Sequence, residues 1–456
     1  MTDVVHARVI EIRSPEDGSP VWELPMASEK DVSDACAAAR SAFPGWARTS
    51  AAERGAALHA AAAHLRDRAD DLARLNHEET GRDTAEAREG VLAGASTLVQ
   101  YAELGPLHRG RSLLGAHQAV DMMVPEPRGV VIALTPWNDP VAVSCGLIGA
   151  ALVTGNVVIH KPSERCPRTG LVLGEVLGAH VPDGVMRTLM GDGDVGARLV
   201  LNSDADVIAH VGSTATGHAI AEAAARTGSK TLLENGGNDP LLIDSDVDPE
   251  WAAEQAALGA FANCGQICTS VERIYVHQDI ARPFITALTR LAVDTKLPPL
   301  VDRRHRDHVH GHVMEALARG AERVAGGEIP SGAGAQYPAT VLTGCEPGMA
   351  VLAEETFGPV APVRVVRDFE QGLAEAASGP YGLAATVLTD SAEHAQRAWR
   401  ELPVGTVKVN AVFGGAPGGA AQPRGASGTG YGYGPELLDE MTTTKVLHMA
   451  IAGGRR

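Results

Sequence analysis

The chain is poor in cysteine, in aromatic residues and in long apolar runs. Six cysteines in 456 residues are too few for a disulfide-stapled scaffold, and a reducing compartment is the expectation that follows. No apolar run reaches the roughly 18 residues that a membrane-crossing helix needs. The opening stretch "MTDVVHARVIEIRSPEDG" has neither the charged start nor the apolar segment of a secretion signal. A cytoplasmic protein is therefore expected, with no membrane partner. Lys and Arg total 39 against 56 Asp and Glu, a net charge of −17 without any basic block. Such a balance argues against nucleic acid or an anionic lipid surface. Six Phe and six Tyr also make a strongly aromatic pocket unexpected.

What is present is ordinary for a globular chain: 45% apolar and 21% charged residues. Its length exceeds what one hydrophobic core supports, so two or three subdomains are expected. The first hundred residues read as helices. "SEKD" (28–31) and "SAAE" (50–53) are capping boxes, the second opening a long Ala-rich helix through Leu58, Leu65 and Leu72. From about residue 124 short β-rich runs alternate with helical ones: "GVVIALTPWN", "NVVIHKPS", "DVIAHVGST" and "KTLLENGG" as strands, "PVAVSCGLIGAALVTG" and "CPRTGLVLGEVLGAHV" as helices. That alternation predicts a parallel sheet covered on both faces, an α/β fold. A second alternating block runs from about 240 to 412. A Gly-rich loop (413–434) and a lone strand, "TTTKVLHM", follow.

The segment "FANCGQICTS" (261–270) sets Cys264 and Cys268 four apart. A zinc site needs a second Cys or His pair nearby, and His277 stands alone, so no metal is expected. For a dinucleotide, "GDGDVG" (191–196) has the letters of the Gly-rich fingerprint, but Asp192 and Asp194 would repel a pyrophosphate and no strand leads directly into it. It reads as a glycine turn leading into a helix. "GSTATG" (212–217) is the better candidate, because it follows a strand and opens a helix whose first N–H groups favour phosphate. Gly212 permits close approach and Ser213 adds a hydroxyl. "HKPSE" (160–164) places Lys161, Ser163 and Glu164 at the end of a neighbouring strand. A carboxylate there accepts ribose hydroxyls and disfavours a 2′-phosphate, so NAD is preferred to NADP.

Taken in order, "TPWN", "KPSE", "GSTATG", "LLENGG", "GQIC", "EETFGPV" and "GTVKVN" resemble the aldehyde dehydrogenase superfamily, of the non-phosphorylating, NAD(P)-dependent type, over roughly residues 10 to 450. The resemblance implies that Cys268 is the nucleophile and Glu234 the general base. It further implies that Asn138 stabilises the oxyanion together with the Cys268 backbone N–H. Trp137, Lys161, Glu164 and Ser213 correspond to cofactor contacts, Glu355 and Phe357 to the residues holding the nicotinamide ribose and ring, and Thr135 and Gly212 to backbone contributors. A thiolate attacks an aldehyde readily, and the resulting thiohemiacetal gives up hydride to the nicotinamide. Cys264 matches no catalytic thiol; packing is expected, with a redox bridge to Cys268 as the sharper alternative.

The implied fold has a Rossmann-like cofactor domain (1–108 and 129–235), a catalytic α/β domain (236–435) and a small β oligomerisation flap (109–128 and 436–456). The flap implies a homodimer or homotetramer. Three departures stand out: Asn235 replaces a usual Leu, the linker "KLPPLVD" (296–302) is abbreviated, and Lys408 replaces a common aromatic. Asp139 stands where the family often lines its substrate tunnel with an aromatic ring. A carboxylate on that wall would favour an amino- or hydroxyaldehyde over an acidic semialdehyde, unless Asp139 merely caps the next helix. The alternatives to aldehyde oxidation are a CoA-acylating relative, against which Glu234 speaks, and a non-catalytic NAD-binding protein on the same fold.

Overall fold

The computed structural model describes residues 8–202, 204–415, 420 and 422–450. Residues 416–419 and 421 of the Gly-rich segment, and the flap's last residues 451–456, lie outside the described residues. Among the described residues three sheets carry the architecture, and two short antiparallel two-stranded pairings accompany them.

The first large sheet has six strands in the order Gly428–Thr429, Lys230–Glu234, Val207–Val211, Val130–Thr135, Val157–Pro162, Met186–Thr188. All neighbours are parallel except the first pair. Strands Val130–Thr135 and Val157–Pro162 are buried at every position, which is why they read as unbroken apolar runs rather than alternating ones. From Val130–Thr135 the chain moves outward to one side, then returns to build Val207–Val211 on the other. The carboxyl end of Val130–Thr135 is thus a topological switch point, where open α/β sheets leave a crevice.

The second large sheet has seven strands in the order Glu322–Ala325, Thr340–Thr343, Val360–Val366, Val271–His277, Asp239–Ile243, Ala384–Leu388, Thr406–Val409. Only its first pair is antiparallel. Each large sheet has its own apolar core, the first centred on residues such as Ile132 and Ile159, the second on Ile274 and Val363. A third, antiparallel sheet joins Thr442–Ala450, Ala119–Pro127 and Arg111–Leu113.

Two expectations are corrected. The N-terminus is not wholly helical, since Val9–Arg13 pairs with Pro20–Pro25 as an antiparallel hairpin. Alternate burial of Ile10 and Ile12 and Gly18 at φ 75° in the turn are the physical basis, a period of two over too few residues to stand out. The helix opened by Ser50 ends at Asp67, and Leu72 belongs to a separate helix, Ala69–Thr80. Arg68, at φ −98° and ψ 9°, breaks the run. Both capping boxes form, Ser28 with Asp31 and Ser50 with Glu53.

The Gly-rich segment is not all loop. Gly428–Thr429 pairs antiparallel with Glu234 and Leu233 and becomes the edge of the first sheet. Gly428 lies at φ 123°, and a Cβ there would sit 1.9 Å from the Leu233 carbonyl oxygen, so only glycine admits the approach. This clamps the strand that ends in Glu234.

Candidate active site

Two adjoining cavities meet at the switch point. The larger, of about 700 Å³, runs between helices Gly193–Val200 and Thr214–Thr227. Ala197, Val200, Ala219 and Ile220 give it apolar walls, while Lys161, Ser163 and Glu164 line it too. The smaller, of about 470 Å³, contains Cys268, Glu234 and Asn138. Pro136, Trp137, Arg165, Val211, Gly212 and Ser213 line both, so the two form one crevice with a waist.

The larger cavity brings together the residues expected to hold a dinucleotide. Ser213 caps its helix, its Oγ accepting the Thr216 N–H at 3.3 Å, which leaves the first turn's remaining N–H groups directed toward the crevice. The Gly212 N–H donates to the Glu234 carbonyl at 3.0 Å. A Cβ at Gly212 would lie 2.6 Å from the His210 ring, whose nitrogens find no hydrogen-bond partner among the described residues and whose burial lowers its pKa to about 4. Lys161 Nζ donates to the carbonyls of Gly191 (2.8 Å) and Pro162 (3.0 Å) and lies 4.0 Å from Glu164. Burial lowers its pKa. Ser163 Oγ accepts from the Arg165 N–H at 3.3 Å. The Thr135 hydroxyl is occupied by His160 (2.8 Å) and Ser144 (3.0 Å), leaving its backbone for the crevice. At Gly193 a Cβ would meet nothing within 4 Å. An apolar slot, a helix N-terminus and a Lys/Glu rim match a base, a pyrophosphate and a ribose, so the residues fit a dinucleotide. The "GDGDVG" segment is the expected glycine turn, opening helix Gly193–Val200; Gly193 and Gly196 line one wall of the crevice, while Asp192 and Asp194 turn away to Arg8.

In the smaller cavity, Cys268 Sγ lies 3.9 Å from Glu234 Oε1. Burial pushes the thiol well above its usual range, and the Glu234 charge adds to that. Burial also raises the Glu234 carboxyl, opposed by its contact with Cys268. Asn138 Nδ2 donates to the Gln266 carbonyl at 3.1 Å. Its second N–H and the Cys268 backbone N–H make no hydrogen bond among the described residues, so both donors are available to a developing oxyanion.

The segment before Cys268 is held by unusual backbone. Asn263, Cys264 and Gly265 lie at φ 45°, 57° and 70°. Gln266 fastens it: its Nε2 donates to the Asn263 carbonyl (3.1 Å) and its Oε1 accepts the Val301 N–H (2.9 Å). The abbreviated 296–302 linker thereby braces the nucleophile segment. Cys264 is fully buried, and its Sγ donates to the Pro298 carbonyl at 2.9 Å.

Glu355 accepts the Gly237 N–H at 3.1 Å and is raised by burial. Phe357, at φ 51°, is pinned by Glu272, which accepts the N–H groups of Thr356 (2.7 Å) and Phe357 (2.9 Å). The Phe357 ring meets Trp137 edge-on at 5.6 Å. Asn235 is tied to the Gly-rich segment through its N–H to the Ser427 carbonyl (2.9 Å) and its Nδ2 to the Ala426 carbonyl (3.0 Å). Lys408 Nζ donates to the Val412 carbonyl at 2.6 Å.

Asp139 lines the smaller cavity but does not cap its helix with a side-chain hydrogen bond. It pairs with Arg82 at 2.9 Å. Arg82, Arg165, His305, His308 and Tyr433 also line this cavity, and sequence reasoning missed them. His305 and His308 face it from helix Arg303–Ala318; their spacing of three along one helical face was the available signal.

The Aldehyde dehydrogenase family model matches residues 3–447. Betaine aldehyde dehydrogenase from Staphylococcus aureus, solved in complex with NAD+, is 28% identical with a TM-score of 0.94, over 97% of this chain and 91% of that one. An NAD-dependent aldehyde dehydrogenase from Sinorhizobium meliloti is 30% identical with a TM-score of 0.94, over 98% and 93%. A 3,6-anhydro-L-galactose dehydrogenase in complex with NAP is 29% identical, also at 0.94, over 98% and 97%.

Proposed function

From the premise that the chain belongs to the aldehyde dehydrogenase family, we propose that it oxidises an aldehyde to the carboxylic acid with NAD as acceptor. The observation that carries this is the approach of Cys268 Sγ to Glu234 Oε1, 3.9 Å, in a cavity sharing its waist with a dinucleotide-shaped crevice.

The chemistry follows from the residues. Burial raises both the thiol and the carboxyl, so each keeps its own proton at rest, and Glu234 must lose its proton to solvent before it can act as a base. Glu234 then takes the thiol proton, and Cys268 attacks the carbonyl carbon. Asn138 Nδ2 and the Cys268 N–H hold the oxyanion. NAD, when bound, would supply a positive charge that favours the thiolate and would accept the aldehydic hydrogen as hydride. Glu234 afterwards activates the water that cleaves the thioester. Lys161 and Glu164 would hold the adenosine ribose, Ser213 and its helix the pyrophosphate, and Glu355 and Phe357 the nicotinamide end, with Trp137 at the waist. Glu164 at the ribose rim supports NAD over NADP.

Glu234 in the cavity supports hydrolysis rather than CoA transfer. The test is NADH formation from a panel of aldehydes with and without CoA, with product analysis. Acid formation independent of CoA is expected; an acyl-CoA product, or NAD binding without turnover, would contradict it. The 109–128 and 436–450 segments, whose sheet leaves Val120, Val446 and Met449 about half exposed, suit a homodimer or homotetramer interface, which sedimentation would measure. A cytoplasmic setting fits the free cysteines.

A further inference from the structure

The substrate half of the smaller cavity carries an ion pair that no residue pattern announced. Arg82 follows helix Ala69–Thr80, and Asp139 precedes helix Pro140–Val153. Arg82 Nη1 donates to Asp139 Oδ1 at 2.9 Å and to the Asn138 carbonyl at 3.2 Å. Gly90 lies directly behind, since a Cβ there would stand 2.6 Å from Asp139 Oδ1. The carboxylate is thus seated against a helix that only glycine opens for it.

The pair is incompletely satisfied. Arg82 Nε is buried without a partner. Neither Arg82 Nη2 nor Asp139 Oδ2 makes a hydrogen bond among the described residues. Asn263, on the same cavity wall and 8% exposed, leaves its Oδ1 buried and unpartnered. Arg82 Nε and Asn263 Oδ1 are closed off from the cavity, whereas Arg82 Nη2 and Asp139 Oδ2 are not among the buried unpartnered atoms and stay open to a ligand. The cavity therefore presents one free donor and one free acceptor on a charge-balanced pair, beside apolar Val143 and Ile267.

Resting on the aldehyde dehydrogenase assignment above, we propose that Arg82 and Asp139 form a specificity site for an uncharged aldehyde bearing hydroxyl groups close to the carbonyl. A hydroxyl accepts from Arg82 Nη2 and donates to Asp139 Oδ2, a pairing that neither an alkyl chain nor a single charge reproduces. The ammonium expected for Asp139 alone is disfavoured, because Arg82 already neutralises that carboxylate and would repel a second cation. An acidic semialdehyde meets the opposite obstacle at Asp139.

The test is kcat/KM with NAD for glyceraldehyde, propanal, 3-aminopropanal and succinic semialdehyde, in wild type and in Arg82→Met, Asp139→Ala and Gly90→Ala. Wild type should prefer glyceraldehyde to propanal by about 10-fold or more, with both charged aldehydes below glyceraldehyde. Arg82→Met and Asp139→Ala should bring the glyceraldehyde-to-propanal ratio to about unity. Gly90→Ala, which displaces the carboxylate without removing it, should lower the ratio in the same direction. Each aldehyde's hydration in water is common to all four enzymes, so comparing ratios cancels it. Propanal equal to glyceraldehyde in wild type, a charged aldehyde preferred, or a ratio unmoved in both pair variants would overturn the inference while leaving aldehyde oxidation intact. No NADH from any of the four would overturn the parent assignment and this inference with it.

Discussion

The two halves of the crevice are built by different means. The dinucleotide half is regular: buried parallel strands, a helix N-terminus capped by Ser213, and apolar walls from two helices. The nucleophile half is irregular: three successive residues at positive φ and a cluster of buried acids around Cys268, namely Glu234, Asp239 and Glu355. One half binds by shape that ordinary βαβ geometry supplies. The other concentrates backbone strain and carboxyl groups raised by burial around Cys268, the proposed nucleophile. Substitutions should therefore be costly for chemistry in the second half and mild in the first.

Cys268→Ala should have the largest effect. It removes the sulfur proposed to bond the carbonyl carbon, so turnover should fall by about 10⁴-fold or more. NAD binding, followed by fluorescence titration, should persist. Loss of binding along with turnover would mean that the halves are not separable. Glu234→Gln follows, with an expected fall of about 10²–10³-fold in kcat. The wild-type rate should rise with pH along a limb above the ordinary carboxylate range, because burial raises Glu234 and the base works only when deprotonated. That limb should vanish in Glu234→Gln.

Gly265→Ala probes the strain itself. At φ 70°, with a Cβ placed 2.2 Å from the Gly358 carbonyl oxygen, it should destabilise the fold by about 1–3 kcal/mol in urea unfolding. Asp239 sharpens the contrast in buried charge. Burial raises its carboxyl to about 8, whereas an unfolded Asp titrates near about 4. The folded chain binds this proton more tightly, so the associated stability is fully present below about pH 4 and drawn down as pH rises toward about 8. Asp239→Asn lacks that loss, and its melting temperature relative to wild type should climb across the same window. Ser213→Ala, in the regular half, should lower stability by only about 1 kcal/mol and weaken NAD binding modestly.

This contrast also explains what was legible in the sequence. Strands buried on both faces announce themselves as apolar runs, and residues at their carboxyl ends, such as Asn138 and Glu164, fall near the crevice by topology alone. Cys268 and Glu234 stood out because their motifs are compact. Arg82 and Tyr433 did not, because each comes from an element distant in sequence and carries no signal of which cavity it will face; for His305 and His308 the spacing of three marks a shared helical face but not the cavity that face meets. The 9–25 hairpin was missed for a local reason, two short strands beside a long helical stretch. Asp139 was visible, but its charge could not be interpreted without Arg82, whose position only the packing of helices Ala69–Thr80 and Pro140–Val153 determines.

The central claim is that Cys268 carries the acyl group while NAD occupies the adjoining crevice. Rapid-quench peptide mass spectrometry, on wild type mixed with NAD and saturating aldehyde, measures this most directly. The account predicts an acyl adduct on the peptide containing Cys268, localised to that sulfur and appearing in step with NADH absorbance. NADH formed without any adduct, or an adduct on Cys264 instead, would contradict it.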